Sequence, residues 1–118
     1  MIPEYTVTDD GYELNEPINY HSKRYEKYVS ADKGYASDGA TGALDIRSLG
    51  WWVHDVLCDR GAWDDGEPVS NWQASTVLSD ILREEGRHFR AAYWWPMTFL
   101  FGGGKARENG LFKVRPDL

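Results

Sequence analysis

A chain of 118 residues has the length of one ordinary domain and is too short for two independent cores. Hydrophobic residues make up 42% of it, with 6 Trp, 7 Tyr and 4 Phe, which is bulk enough for a packed core and excludes a disordered chain. Lys and Arg number 13 against 19 Asp and Glu, so the net charge of -6 has the wrong sign for a protein that coats duplex nucleic acid.

Met1 to Asp10 is acidic and lacks the basic-then-apolar order of a secretory signal, which predicts synthesis and first residence in a cytoplasm. Tyr5 to Val7 and Tyr12 to Leu14 alternate about a turn at Asp9-Asp10-Gly11, the pattern of a hairpin. Ile18 to Tyr20 and Tyr25 to Val29 read as further short strands, and Lys33-Gly34 marks a turn before Tyr35 to Asp38. Gly39-Ala40-Thr41-Gly42 suits a loop in which the backbone approaches another group closely.

Helical periodicity follows. Leu49, Trp52, Val53, Val56 and Leu57 fit the i, i+3, i+4, i+7, i+8 template, and Gly61 is placed to end that helix. After an acidic loop over residues 62–68, Ser70 and Gln73 form a capping-box signature. Ala74, Val77, Leu78, Ile81 and Leu82 then make an apolar stripe, with Gly86 closing it. Phe89, Ala92 and Tyr93 predict a third helix that Pro96 ends or kinks. A Gly102-Gly103-Gly104 joint leads into a tail with one candidate strand, Leu111 to Val114. No apolar run approaches the roughly 20 residues that a transmembrane helix needs. The expected fold is α+β: one domain with a sheet-rich part (residues 1–42), two to three helices packed on it (residues 45–101) and a short C-terminal tail (residues 105–118).

The single cysteine, Cys58, excludes an intrachain disulfide. Charge is uneven: residues 1–82 carry -9 and residues 83–118 carry +3. The seven cations of the second part read either as a basic face or as ordinary surface charges. His54 and Asp55 interrupt the apolar first helix, where an isolated charge costs several kcal/mol unless it is paired or reaches water. Their side chains diverge by about 100° on a helix, which predicts a position at the margin of the buried stripe. Asp38, at the end of a predicted strand, is the third member expected there. Asp38, His54 and Asp55 together have the makings of a general base with its orienting groups, or of an oxygen-and-nitrogen site for a divalent metal. The alternative reading is a structural polar knot. Cys58, one turn beyond His54, reads as a nucleophile beside a base or as an inert small hydrophobe. Tyr93, Trp94, Trp95, Phe99 and Phe101 form an aromatic group that reads either as core around the proline or as an exposed surface for a protein partner or a carbohydrate.

The segment Gly34-Tyr35-Ala36-Ser37-Asp38-Gly39-Ala40-Thr41, followed by His54-Asp55-Val56-Leu57, resembles the phage and prophage family called domain of unknown function 1353. The likeness extends from about Ile18 to Gly104. Three positions depart from that family's pattern: Thr41 replaces Ser, Cys58 replaces Tyr, and Ser75 replaces a helical Asp. The resemblance implies a bacteriophage or prophage origin and supplies no activity.

Two functional expectations follow. One is a virion-associated accessory protein that docks on other phage proteins or on itself through the aromatic group, made in the host cytoplasm and carried in the particle. The other is a small, metal-assisted hydrolase of the host cell envelope that uses Asp38, His54 and Asp55.

Overall fold

The structure is a computed structural model that describes residues 3–9, 11–37, 48–101 and 104–117. Strands β1 (Tyr5–Thr8) and β2 (Gly11–Leu14) pair antiparallel with Tyr5 opposite Leu14 and Thr8 opposite Gly11. The chain reverses between Thr8 and Gly11, where the sequence predicts a turn, with Gly11 already the first residue of β2. Strands β3 (Ile18–Ser22) and β4 (Lys27–Ala31) form a second hairpin with Tyr20 opposite Val29. The short β5 (Ala36–Ser37) joins the far edge of β2. The expected single sheet is therefore two, of order β1-β2-β5 and β3-β4. In β3 the buried positions Ile18, Tyr20 and Ser22 alternate with exposed Asn19 and His21, the period that puts one face on a core.

Helix α1 (Leu49–Arg60) begins at Ser48, whose side chain accepts from the Gly50 N–H, and ends at Gly61 in the left-handed region, φ 70°. Glu85 clamps its start: Ser48 Oγ donates to one carboxylate oxygen at 2.6 Å and the Leu49 N–H to the other at 3.3 Å. A carboxylate there satisfies unpaired N–H groups and opposes the positive end of the helix dipole. Helix α2 (Asn71–Glu84) carries the reciprocal capping box between Ser70 and Gln73, and all five residues of its predicted stripe are buried.

Helix α3 (His88–Phe101) runs through Pro96 rather than ending there. Proline removes one N–H, the donor that the Ala92 carbonyl would otherwise meet. Ala92 lies on the exposed side of the helix. The turns on either side are held by contacts with α2: Trp95 Nε1 donates to Thr76 Oγ1 at 3.0 Å, and Thr98 Oγ1 to Ser75 Oγ at 2.9 Å.

A fourth helix, α4 (Lys105–Asn109), appears where only a tail was expected. Leu111 to Val114 is not a strand. The carbonyls of Gly110 and Leu111 instead accept from the Asn71 and Trp72 N–H groups at 2.9 and 2.8 Å. The tail thus satisfies donors at the start of α2, a role that β periodicity cannot announce.

The main core joins Leu14, Ile18, Val29 and Ala31 of the hairpins to Trp52, Val53, Val56 and Leu57 of α1 and to Val77 and Ile81 of α2. A second cluster, Trp51, Leu78, Leu82 and Ala91 with Trp94 against it, lies between the helices. Helix α1 is thus packed on two sides. Two ties anchor the second hairpin to α2: Arg24 meets Asp80 through two bonds of 2.8 Å, and the Tyr20 hydroxyl meets Glu84 at 3.2 Å.

Candidate functional site

Because the hairpins cover one side of α1 and α2 with α3 covers another, eight of its twelve residues are buried. His54 is one of them, 5% exposed, and so does not lie at the margin that the sequence predicts. The margin exists only where a helix has one packed face, and α1 has two. The imidazole stands edge-on to Trp51, with ring centroids 5.6 Å apart, and its Nε2 lies 3.6 Å from Cys58 Sγ.

Burial sets the charge state of this pair. Loss of water pushes His54 down to about 4, so its ring is neutral at physiological pH. Burial, aided by the Asp55 and Asp59 carboxylates, pushes the Cys58 thiol up to about 12. Neutral imidazole beside neutral thiol is the reverse of the ion pair that activates a cysteine nucleophile.

Asp55 points elsewhere. Its carboxylate accepts from the Tyr35 hydroxyl at 3.2 Å, beside the sheet. Burial and then that carboxylate hold the Tyr35 phenol far above its usual range, so it remains a donor. His54 and Asp55 therefore serve different environments, as their 100° divergence demands. Asp38 lies outside the described residues, as does the small-residue loop after it. Among the described residues no group of three His, Cys, Asp or Glu side chains could hold a metal ion.

Ser75, the position of the resembled family's helical Asp, is fully buried, and its hydroxyl accepts from Thr98. It belongs to the contact of α2 with α3. Two buried polar atoms nearby lack a hydrogen-bond partner, Trp51 Nε1 and Asn71 Oδ1, although the Asn71 amide donates to the Phe99 carbonyl at 2.7 Å.

The five aromatic residues divide by side of α3. Trp94 turns inward and meets Trp51 edge-on at 5.1 Å. Trp95 and Phe99 stack at 5.3 Å and pack with Trp72 of α2, while Phe112 of the tail rests on Phe99. Tyr93 and Phe101 turn outward, the latter 73% exposed. Trp94, Trp95 and Phe99 thus pack against neighbouring aromatic rings, while Tyr93 and Phe101 are left exposed. The sequence reading missed Phe89, 83% exposed, and Leu100, which share the outward side, and the flanking Trp72, Leu111 and Phe112. The missed signal was the spacing of Phe89, Tyr93, Pro96 and Leu100, which recur on one helical face.

No protein-family model, curated protein or solved structure matches this chain.

Proposed function

We propose that this chain is a bacteriophage-type accessory protein, associated with the virion, that acts by docking rather than by catalysis during particle or tail assembly or penetration of the host. The observation that carries this reading is the outward face of α3. A surface helix normally presents charged and polar groups to water, yet this one presents Phe89, Ala92, Tyr93, Pro96 and Leu100. Such a face raises the free energy of the isolated molecule unless a partner covers it.

The condition of His54 supports docking over hydrolysis of the envelope. A buried ring held down to about 4 is a weak base without access to water, while its contacts with Trp51 and Cys58 suit a packing role. The phage attribution rests on the resemblance of the segments around Gly34 and His54. Quantitative mass spectrometry of purified particles tests the proposal: a fixed copy number per particle is expected, and absence from particles made in cells that express the protein contradicts it.

A further inference from the structure

We propose that Asn109 and Gly110 form a latent site of spontaneous deamidation, kept unreactive while the C-terminal segment is docked, whose conversion to aspartate or isoaspartate releases that segment irreversibly. The inference is independent of the docking reading above.

The chain has four asparagines, Asn15, Asn19, Asn71 and Asn109. The first three precede Glu16, Tyr20 and Trp72, whose side chains crowd the backbone nitrogen that follows the amide. Asn109 alone precedes glycine, which leaves that nitrogen open to attack its side chain. No other residue fits at position 110, where φ is 152° and a Cβ would run into the Lys113 carbonyl oxygen. The close turn of the tail therefore fixes the neighbour that makes Asn109 labile.

The fold holds Asn109 as firmly. Its Nδ2 donates to the Gly61 carbonyl at 2.7 Å and to the Val69 carbonyl at 3.0 Å, so one amide pins α4 to both ends of the loop between α1 and α2. Around that pin the tail is held by its main chain. The Gly110 and Leu111 carbonyls accept from Asn71 and Trp72, whose N–H groups at the start of α2 have no partner within the helix. The Phe112 carbonyl accepts from Ser70 Oγ at 3.3 Å, and the Asn109 carbonyl from the Arg115 N–H at 2.8 Å.

The reaction exchanges the amide for water. The Gly110 nitrogen attacks Asn109 Cγ, an N–C bond forms, and the side-chain nitrogen leaves as ammonia carrying the Gly110 proton. Water then opens the cyclic imide at either carbonyl, giving aspartate or, with the main chain rerouted through the side chain, isoaspartate. In the docked segment the ring does not close: Asn109 belongs to α4, its amide is held by two carbonyls, and the Gly110 N–H donates to the Arg107 carbonyl at 3.2 Å. Deamidation thus proceeds through the undocked state, whose population sets its rate.

The product does not redock. A carboxylate has no donor, so at position 109 it would face the Gly61 and Val69 carbonyl oxygens at the distances where Nδ2 now bonds them. Isoaspartate also lengthens the main chain before Gly110 by one methylene, which shifts the tail carbonyls away from the start of α2. An opening that would otherwise reverse becomes permanent.

Peptide mapping by mass spectrometry tests the first step on the full chain in mildly alkaline buffer, folded or held in urea. Asn109 should deamidate at least about tenfold more slowly in the folded chain, and ahead of the other asparagines in urea. Equal rates in the two states, or another asparagine reacting first in urea, overturn the inference. Asn109→Asp supplies the product directly. Amide hydrogen exchange at Asn71 and Trp72, which reads tail docking, should be at least about tenfold faster in that variant, with Val77 to Leu82 keeping parental protection. Unchanged exchange at Asn71 and Trp72 overturns the release. So does loss of protection throughout α2, because the pin then holds the whole fold rather than the tail. Aged parent protein, separated by charge without unfolding, should match the variant, and a tail still docked in it contradicts the proposal.

Discussion

His54 shows how far a residue's chemistry depends on what closes over it. An imidazole next to an aspartate in an apolar helix is equally the beginning of an active site and of a packed polar contact, and one chain of letters cannot separate them. The second covering layer, supplied by Trp94 and the α2 stripe, decides between them and leaves the ring beside Trp51 and Cys58. Its titration is then a stability term. The folded state holds His54 down to about 4 while the unfolded chain has the ordinary value of 6.5, so between those values the unfolded state binds more protons. The contribution of His54 is complete above about 6.5 and is lost as pH falls toward 4. Urea unfolding should therefore show a loss of about 2 kcal/mol between about pH 7.5 and about pH 5 that His54→Gln abolishes, the other histidines, His21 and His88, being exposed. An unchanged slope in that variant would show that the ring is not buried in solution. Ser75 provides a second residue-scale test. Ser75→Asp buries a carboxylate against Thr98, and a fall of at least about 2 kcal/mol in unfolding free energy is expected; an equally stable variant would mean that position 75 opens to solvent.

Elements were legible where their signals are local. The capping box at Ser70 and the left-handed stop at Gly61 follow from chemistry within a few residues and stand where the sequence predicts them; the first hairpin reverses where its turn is predicted, with Gly11 taken into β2. Ser70→Ala should cost about 1 kcal/mol in thermal or urea unfolding, and no change would mean that the tail contacts alone hold the start of α2. What was not legible depends on partners distant in the chain. Helix α3 continues through Pro96 because α2 holds the turns on both sides, and the tail gives up its strand because α2 needs acceptors. Two expectations follow from these contacts. Pro96→Ala restores an N–H to the Ala92 carbonyl and should stabilise the fold by about 1 kcal/mol, the helix-interior penalty partly offset by a freer unfolded chain; destabilisation would show that the ring itself packs usefully. Gly104, at φ 83°, has no room for a Cβ, which would lie 2.5 Å from the Cys58 carbonyl oxygen, so Gly104→Ala should lower the melting temperature markedly.

At the scale of the molecule, the sequence reading anticipates an α+β fold with antiparallel hairpins against helices, and that is what the chain forms. It could not anticipate that the aromatic residues would divide, some completing the space between α2 and α3 and others left outside. Periodicity marks the spacing of apolar residues but does not say which of two apolar faces is covered when both are present on one helix. The charge asymmetry, by contrast, is visible from the sequence alone, residues 1–82 carrying -9 and residues 83–118 carrying +3.

The central claim is that the outward face of α3, and not the His54 region, performs the protein's function. Particle incorporation of two folded variants tests it most directly: quantitative mass spectrometry should find His54→Gln at parental copy number and Phe89→Glu with Leu100→Glu depleted. Depletion of the histidine variant alone, with the surface variant retained, would contradict the account.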